Sequence, residues 1–501
     1  KGVNYIPQDV FLTRPNQKNY EFILSSAAEA NMNMIRVWGG GIYEPDIFYE
    51  LCDEMGIMVW QDFMFACSMY PAHQEFLDSV GREVEYQLKR LKSHPSIILW
   101  CGNNEIASGW LSWGWKEELP KLVWDDYRKL FHKLLPKVCS ELDPQRLYWP
   151  SSPCHGTDQS NQDQIYGKGD NHYWGVWHGG DDFDAFDDNV GRFMTEYGMQ
   201  SFPSMSMIES FTNEKDRSLD SDFMNAHQKA SLGTGNLMKY VKDYYQVNDD
   251  FDSIAGLSQI MQAEAIRFAV EAHRRNMPYC MGTLYWQFND CWPVISWSSI
   301  DYGGNWKALH YAARKFFSPL LISIRYLDDK IEIHVINDQH HEVESEIRLG
   351  LFNFNGDTLF NDSSDIKVEP FSSVIYYAFD KDDLLGGSDS SAIIFRAELS
   401  VGGKVLSRSH QFFNRPKHLS IPLPDFDYEI ERISGKHVIT VRSNSFLCQL
   451  HLISTKVRGV FSDNYFDMLP GEVQMIDFEP SENEELKKSD LRVRTLYEMM
   501  N

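Results

Sequence analysis

Two glutamates each follow an apolar run that is typical of a buried β-strand. Glu105 comes after Ile97–Trp100 and a short Cys-Gly-Asn-Asn link, and Glu196 comes directly after Phe193–Thr195. Desolvating a carboxylate costs several kcal/mol unless it is paired, so an acid at the tip of such a strand needs an explanation. Two facing carboxyls can hydrolyse a glycosidic bond, one giving a proton to the leaving oxygen and the other attacking the anomeric carbon. Ionising one raises the pKa of the other, which divides the two roles.

A purely structural alternative exists for both acids. Each could form an ion pair with an arginine near the end of another strand, and Arg36 and Arg192 are the candidates. The spacing of the residues leaves this alternative open.

Short apolar strands alternate with amphipathic helices from residue 1 to about 318. Eight strands are predicted, at 3–6, 34–38, 57–62, 97–100, 147–149, 172–174, 193–195 and 283–286. Eight such repeats over about 300 residues favour a (β/α)8 barrel, in which working residues lie at the carboxyl ends of the strands. A doubly wound open sheet is the alternative, but no glycine-rich phosphate loop follows the first strand, and we interpret Gly39–Gly41 as a tight turn.

The ends of these strands supply the candidate site residues. Glu105 follows the fourth strand and Glu196 the seventh, so their carboxyls can face each other across the mouth of the barrel. Aromatic residues make up 14% of the chain and include 14 Trp, a composition typical of sugar sites, although a large aromatic core would explain it too. The other candidates at strand ends are Arg36, Trp38, Asp62, Asn104, Tyr173, Trp286, Asn289 and Asp290.

Beyond residue 318 the hydrophobic pattern changes to period two, with turns such as Asn355-Gly356 between strands. This pattern predicts two small all-β immunoglobulin-like sandwiches. The predicted domains are therefore a catalytic barrel at 1–318 and sandwiches at 319–415 and 416–501. The polar stretch 199–257 is too long for an ordinary loop, and we expect it to elaborate the rim of the site.

The overall charge excludes two classes of partner. With 47 Lys+Arg against 72 Asp+Glu the net charge is −25, which disfavours nucleic acid and anionic membranes. No apolar run approaches the roughly 20 residues that span a bilayer, so we expect a soluble protein. The eight cysteines show no metal-binding spacing and are predicted to be free core thiols. The chain opens on Lys1 without an initiator methionine or signal peptide, so we interpret it as a fragment whose compartment stays open between periplasm, secretion and lysosome.

Several segments together resemble glycoside hydrolase family 2. Asn-Glu after strand four and a glutamate after strand seven mark the wider clan. The runs RVWGGGIYE and VWQDFMFAC are most similar to the β-mannosidase branch. The matching segments are 36–44, 59–67, 100–105, 195–198 and 284–290.

The resemblance implies a retaining, exo-acting β-mannosidase that takes terminal β-mannose from oligosaccharides without a metal or cofactor. Glu105 would then be the general acid/base and Glu196 the nucleophile, while Asn104 would bond the sugar 2-OH. Trp38 and Trp286 would form hydrophobic walls of the pocket, and the side chain of Tyr173 would form a hydrogen bond with Glu196. Asp62, Asn289 and Asp290 would line the pocket or fix its loops, and Trp110, Trp113 and Trp115 would form a platform for the aglycone or pin a loop.

Other readings remain. Exo-β-glucosaminidase, β-galactosidase and β-glucuronidase share the chemistry. A glucosaminidase needs extra acids, such as Asp62 or Asp290, and a glucuronidase needs a cation, such as Arg36 or Lys168. A non-catalytic carbohydrate-binding fragment belongs to another class. The two β-domains that precede the barrel in the family are missing from this chain, and in relatives a loop from the first of them lines the pocket.

Overall fold

The computed structural model describes residues 1–156, 167–482 and 484–501. It divides into two compact units: Lys1–Gly198 with Tyr279–Trp292, and Met199–Pro278 with Pro293–Asn501.

The first unit contains eight short strands that run parallel wherever they pair. Six form one sheet in the order β5-β4-β3-β2-β1-β8, β6 pairs with β7, and a bridge from Met194 to Thr283 joins β7 to the start of β8. β1, β2 and β7 are buried throughout, as barrel strands covered on both faces must be. The strands are β1 (Gly2–Tyr5), β2 (Met34–Val37), β3 (Met58–Asp62), β4 (Ile97–Cys101), β5 (Leu147–Trp149), β6 (Asn171–His172), β7 (Met194–Glu196) and β8 (Leu284–Tyr285).

The helices between these strands begin and end at residues that the sequence marks. Asn16 and Asn19 form a capping box before α1, and Pro45 precedes α2, which ends at Gly56 with φ of 70°. Short π-helical turns occupy Leu130–Leu134 and Gly175–Gly179. The helices are α1 (Gln17–Glu29), α2 (Asp46–Met55), α3 (Gln74–Leu91), α4 (Ile106–Ser112), α5 (Trp115–Glu118), α6 (Lys121–Lys129), α7 (Leu135–Leu142) and α8 (Ala185–Asp188).

The second unit opens with a helical region. The stretch 199–257, expected to be an elaborated loop, contains three helices and the start of a fourth. The long helix α12 is buried along much of its length and packs against α11 and α13. These helices are α9 (Met205–Phe211), α10 (Asp222–Ala226), α11 (Gly233–Tyr244), α12 (Phe251–Arg275) and α13 (Ala308–Phe316).

Two antiparallel sheets then enclose one apolar core. The sheets have the orders β13-β10-β9 and β12-β11-β14-β15, and their inward residues include Ile333, Leu349 and Phe395. The elements are β9 (Leu320–Leu327), β10 (Lys330–Asn337), β11 (Val343–Asn353), β12 (Thr358–Val368), β13 (Ser372–Asp380), α14 (Lys381–Leu385), β14 (Ile393–Val401) and β15 (Lys404–Gln411).

A second, smaller sandwich follows, with sheet orders β16-β17-β21-β19 and β20-β18-β22. The predicted fold class, a (β/α)8 barrel followed by immunoglobulin-like sandwiches, is confirmed. The predicted limits at 318 and 415 fall in connections between elements, and we keep them as proposed domain boundaries. The elements are β16 (Phe426–Ile433), β17 (Lys436–Ser443), β18 (Leu447–Ser454), β19 (Gly459–Phe461), β20 (Phe466–Met468), β21 (Val473–Pro480), β22 (Leu491–Arg494) and α15 (Leu496–Met500).

Candidate active site

Strands β4 and β7 bring the two predicted glutamates together. Glu196 is the last residue of β7, and Glu105 lies just after β4, where it precedes α4 with φ of 61°. One carboxyl oxygen of each lies within 4.8 Å of the other and of a ring nitrogen of His172. The expected pair of carboxyls therefore faces one small volume at the carboxyl ends of the strands.

His172 bridges the two acids. Its Nδ1 lies 2.7 Å from Oε1 of Glu105 and 3.3 Å from Oε2 of Glu196. Its Nε2 lies 3.1 Å from the hydroxyl of Ser152. The sequence reading placed this histidine on strand six but gave it no role. The predicted strand runs over 172–174 and so begins at His172, whereas the structure ends β6 there, which is why the histidine is not among the strand-end candidates.

Arg36 occupies the floor of the site and is fully buried. One guanidinium nitrogen donates to Oε1 of Glu196 at 2.6 Å and to Oδ1 of Asn4 at 2.9 Å. The other donates to Asp62 at 2.9 Å and to Asn104 at 2.7 Å. The ion-pair alternative therefore describes one contact of Glu196, whereas Glu105 faces His172 and Cys67 instead. Arg192, the other arginine considered, stacks on the ring of Tyr279.

Asp62 is also fully buried, and it forms an ion pair with Arg36. Besides Arg36, it accepts hydrogen bonds from Trp60 Nε1 at 2.8 Å and from the backbone N–H of Gly39 at 3.0 Å. Arg36 and Asp62 were both predicted to bind substrate. Their described contacts include those with Glu196, with each other and with the loop after β2, so binding of substrate by either stays a prediction.

Asn104 joins this floor to the acid next to it in sequence. Its Oδ1 accepts from Arg36, and its Nδ2 lies 3.3 Å from Sγ of Cys67. That sulfur is 3.7 Å from Oε2 of Glu105. The described chain has eight free cysteines, as predicted, but Cys67 is exposed, so the expectation of core thiols is wrong for this residue.

Two indoles that follow barrel strands contact each other. The rings of Trp38, after β2, and Trp286, after β8, meet edge to face with centroids 5.0 Å apart, and both are partly exposed. This pair is the described arrangement that best fits the expected apolar wall. Trp110 differs from expectation: it is buried and stacks on Trp124, so it belongs to the core, whereas Trp113 is exposed.

Tyr173 is linked to Glu196 through the backbone rather than through its side chain. Its backbone N–H donates to the carbonyl oxygen of Glu196 at 2.8 Å. Its hydroxyl donates to Oδ2 of Asp181 at 2.7 Å. A hydroxyl has one proton to donate, so the expected side-chain bond to Glu196 is replaced by this one.

Asn289 and Asp290 are both buried after β8. The amide of Asn289 donates to the carbonyl of Ile6 and accepts from its N–H, so it ties this segment to β1. Asp290 accepts from Gln287 at 3.3 Å. The contacts of Asn289 favour the loop-fixing role that the sequence left open over direct binding.

Burial controls the titration of the site. It raises the pKa of Glu105 and of Glu196 above the usual value for glutamate, and the negative charge of Glu105 raises the pKa of Glu196 further. The nearby Arg36 and His172 oppose this effect on Glu196. Burial also lowers the pKa of His172 to about 4, so the imidazole is neutral at physiological pH.

The same three side chains are the ones that could hold a cation, because Glu105, His172 and Glu196 each direct one ligand atom into the shared volume. Two carboxyls, a neutral imidazole and a buried guanidinium can also perform acid–base and nucleophilic chemistry with no further group.

Comparison with known proteins gives consistent matches along the chain. Family models described as a mannosidase Ig/CBM-like domain and an Ig-fold domain match residues 329–418 and 421–499. The chain is 33% identical to the β-mannosidase of Capra hircus over 521 residues, covering 98% of this chain and 59% of that protein. It is 33% identical to β-mannosidase B of Emericella nidulans over 528 residues, covering 98% and 60%.

A solved structure agrees. The crystal structure of β-D-mannosidase from Dictyoglomus thermophilum matches 99% of this chain and 60% of its own, with a TM-score of 0.90 and 37% identity. The chain thus spans about three fifths of the length of the relatives it matches. None of the helices in the described ranges is long and apolar enough to cross a membrane.

Proposed function

We propose that this chain, which is 33–37% identical to β-mannosidases over nearly its whole length, carries the catalytic barrel of a retaining, exo-acting β-mannosidase of glycoside hydrolase family 2. The substrate would be an oligosaccharide with a terminal, non-reducing β-D-mannose. The observation that carries the proposal is the Glu105–Glu196 pair, which sits at the ends of strands four and seven with carboxyl oxygens within 4.8 Å.

The separation of the carboxyls supports retention of configuration. Retaining glycosidases hold the two groups about 5–5.5 Å apart, whereas inverting enzymes leave about 6.5–9.5 Å for a water molecule. Oxygens within 4.8 Å match the first arrangement. The nucleophile can therefore attack the anomeric carbon directly.

The contacts of each acid support the division of labour. Arg36 donates to Glu196 at 2.6 Å and so stabilises it as a carboxylate. Burial raises the pKa of Glu105, which favours its protonated form, and its Oε1 faces the neutral imidazole of His172. We therefore assign the nucleophile to Glu196 and the general acid to Glu105.

The proposed reaction has two displacements. A Glu196 oxygen forms a bond to the anomeric carbon while the glycosidic C–O bond breaks, and its electron pair stays on the leaving oxygen, which takes the proton of Glu105. Glu105, now a carboxylate, then takes a proton from water. The resulting hydroxide bonds to the anomeric carbon and displaces Glu196, which regenerates both groups.

The surroundings of the pair support a sugar substrate. The edge-to-face pair of Trp38 and Trp286 offers apolar surface to a pyranose ring, as the resemblance implies. Asn104 lies between Glu105 and Arg36, and we retain it as the proposed contact to the sugar 2-OH.

The alternatives within the same chemistry have less support. A glucosaminidase would use Asp62 or Asp290 as a partner for an ammonium group, but Asp62 is paired with Arg36 and Asp290 is buried and accepts from Gln287. A glucuronidase would use Arg36 or Lys168. Arg36 is already shared among Asn4, Asp62, Asn104 and Glu196, and Lys168 is exposed with no described side-chain contact to the carboxyl pair. No described contact favours β-galactosidase or a non-catalytic binding fragment over β-mannosidase.

Release of nitrophenol from aryl glycosides tests the proposal. We expect hydrolysis of the β-mannoside and not of the β-galactoside, β-glucuronide or β-glucosaminide. Glu196→Gln should reduce the rate by at least about 10⁴-fold, while Glu85→Gln on the exposed face of α3 should leave it unchanged. Hydrolysis of another sugar would keep the mechanism and replace the substrate. Unchanged hydrolysis in Glu196→Gln would refute the assignment of the nucleophile.

A further inference from the structure

We propose that His172 is the positioning residue that keeps Glu105 protonated before substrate arrives, and that Ser152 and Asp170 hold its imidazole as the Nε2–H tautomer. The inference rests on the proposed function, because it explains how the general acid is kept protonated before substrate binds. The sequence alone gave no role to His172, Ser152 or Asp170.

Asp170 is a buried residue whose carboxyl group has four hydrogen-bond donors around it. Its Oδ1 accepts from Trp149 Nε1 at 2.7 Å and from the backbone N–H of Cys154 at 2.8 Å. Its Oδ2 accepts from the hydroxyls of Ser152 at 2.6 Å and Thr195 at 2.7 Å. Among the acceptors near the Ser152 hydroxyl, Oδ2 of Asp170 is closer than Thr195 Oγ1 at 3.4 Å or His172 Nε2 at 3.1 Å, so we place the Ser152 proton toward Asp170.

The single proton of Ser152 then decides the tautomer of His172. Because that proton points to Asp170, only a lone pair of the hydroxyl oxygen is left for His172 Nε2, 3.1 Å away. A contact between two heavy atoms at this distance needs a hydrogen, so Nε2 must carry it. In a neutral imidazole the other nitrogen is then an acceptor.

That acceptor, Nδ1, faces Oε1 of Glu105 at 2.7 Å. The distance again requires a proton between the two atoms, and Glu105 is the group that can supply it. Nδ1 also lies 3.3 Å from Oε2 of Glu196, which is the longer of its two contacts, and that carboxylate already accepts from Arg36 at 2.6 Å. The free enzyme therefore holds Glu105 as a carboxylic acid.

The alternative is the Nδ1–H tautomer of His172, in which the donor and acceptor of each of its hydrogen bonds exchange roles. Nδ1–H would be shared between the two carboxylates, and Ser152 would donate to Nε2. The 2.6 Å contact between Ser152 and Asp170 would then have no proton, and three carboxylates would face a site with one guanidinium. The charges near His172 are those of Glu105, Glu196, Asp170 and Arg36, and burial disfavours adding a proton to the ring.

This arrangement matters in both halves of the proposed reaction. Before the first displacement, the lone pair of Nδ1 stabilises the acid form of Glu105. After Glu105 has passed its proton to the leaving oxygen, its carboxylate faces that lone pair, which disfavours the charged form and makes Glu105 a stronger base toward water. One imidazole in a fixed tautomer thus serves the acid and the base roles of the same glutamate.

The tautomer can be measured without any substrate. Histidine labelled with ¹⁵N gives distinct signals for protonated and unprotonated ring nitrogens, and His172→Gln identifies the signal of interest. We expect Nε2 protonated and Nδ1 unprotonated from pH 6 to 8. A protonated Nδ1 in this range would overturn the proposal. Since this readout needs no hydrolysis, a failure of the proposed function would leave it intact and be recognised separately.

Two matched variants test the consequence for catalysis. Ser152→Ala removes the partner of His172 Nε2, whereas Ser140→Ala makes the same change at an exposed position of α7 outside the site. For Ser152→Ala we expect a loss of about 10²-fold with a poor leaving group and of less than about 5-fold with a dinitrophenyl leaving group, which needs no acid. Its alkaline limit of kcat/KM should also move to lower pH, while Ser140→Ala keeps both profiles.

A purely structural role would lower the rate for all leaving groups alike. Equal losses for both leaving groups in Ser152→Ala, or the same selective loss in Ser140→Ala, would contradict the proposed role of Ser152 and His172. If Ser152→Ala does not fold, the tautomer of His172 in the unmodified chain still decides the question.

Discussion

The guanidinium of Arg36 donates to Oε1 of Glu196 at 2.6 Å, and neither side chain is more than 5% exposed. The same cation contacts Asp62 and Asn104, so the carboxyl ends of β2, β3, β4 and β7 are tied together through one side chain. From the sequence, Arg36 is predicted to bind substrate. Its buried contact with Glu196 also makes it a support for the proposed nucleophile.

This relationship predicts two separable effects of replacing Arg36. Arg36→Met should lower the free energy of unfolding by about 3–5 kcal/mol, because Asp62 and Glu196 are left buried without a counter-charge. It should also lower kcat/KM by about 10²–10³-fold, since a preorganised donor is lost. In Arg36→Met/Asp62→Asn part of the stability should return while the rate stays low. Denaturant unfolding and steady-state kinetics measure both, and a stable, fully active Arg36→Met would contradict the assignment.

Gly102 positions the acid through close packing. A Cβ at this residue, just after β4, would overlap the carbonyl oxygen of Pro150 and the hydroxyl of Tyr148. Gly102→Ala should therefore displace the segment that carries Glu105, with about 1–3 kcal/mol lost from stability and about 10–100-fold from kcat/KM. Gly81→Ala, within α3 and with space around it, should stabilise the protein by about 0.5–1 kcal/mol. A Gly102→Ala variant with normal kinetics would show that β4 tolerates the shift.

The buried carboxyl of Glu44, which is not one of the Glu105–Glu196 pair, should make the stability of the protein depend on pH. It is 1% exposed, accepts from Tyr20 at 3.0 Å, and burial raises its pKa to about 7. The folded protein thus binds a proton that the unfolded chain releases near pH 4.5, so this contribution is complete below about pH 4.5 and is lost as pH rises through 7.

Replacing that carboxyl should remove the effect. Glu44→Gln should be more stable than the parent above pH 7, by at most about 3 kcal/mol, with no gain near pH 4.5. Thermal unfolding at several pH values tests this, with the exposed Glu85→Gln as the control. A gain that is the same at every pH would exclude titration of Glu44 as its cause.

Cys67 is exposed as a residue, but its thiol should react slowly with alkylating reagents. Burial of its sulfur beside Glu105 raises the pKa to about 12, against about 8.5 for an ordinary cysteine. At pH 7 the thiolate fraction should be about 10³-fold lower than usual, and iodoacetamide should label Cys67 correspondingly slowly. Peptide mapping by mass spectrometry measures this rate, and Glu105→Gln should increase it. Rapid labelling of the unmodified chain would contradict the raised pKa.

Much of the architecture could be predicted because the barrel follows a simple local pattern. Parallel strands bring their carboxyl ends to one edge, so a glutamate after strand four and another at the end of strand seven had to approach each other. Pro45 and Gly56 bracket α2 as expected. The immunoglobulin-like part followed from the period-two pattern in the same way.

The contacts that tune the pair could not be predicted, since they join residues that are distant in sequence. His172 reaches Glu105 across 67 positions, and only coordinates reveal that Ser152 and Asp170 stand behind it. Asp62 resembled a ligand for substrate because a strand-end acid looks the same whether it faces the pocket or a buried arginine. Trp110 resembled a platform for the same reason, and its burial decides against that role.

Trapping the covalent intermediate tests the central claim most directly. A 2-deoxy-2-fluoro-β-mannosyl fluoride should glycosylate the nucleophile, with loss of fluoride, faster than the adduct hydrolyses, and mass spectrometry of the digested protein locates the sugar. The account predicts one fluoromannosyl group on the peptide that contains Glu196, and none on Glu196→Gln. An adduct on Glu105 or elsewhere, or hydrolysis of the aryl β-mannoside that yields the α-anomer first, would contradict it.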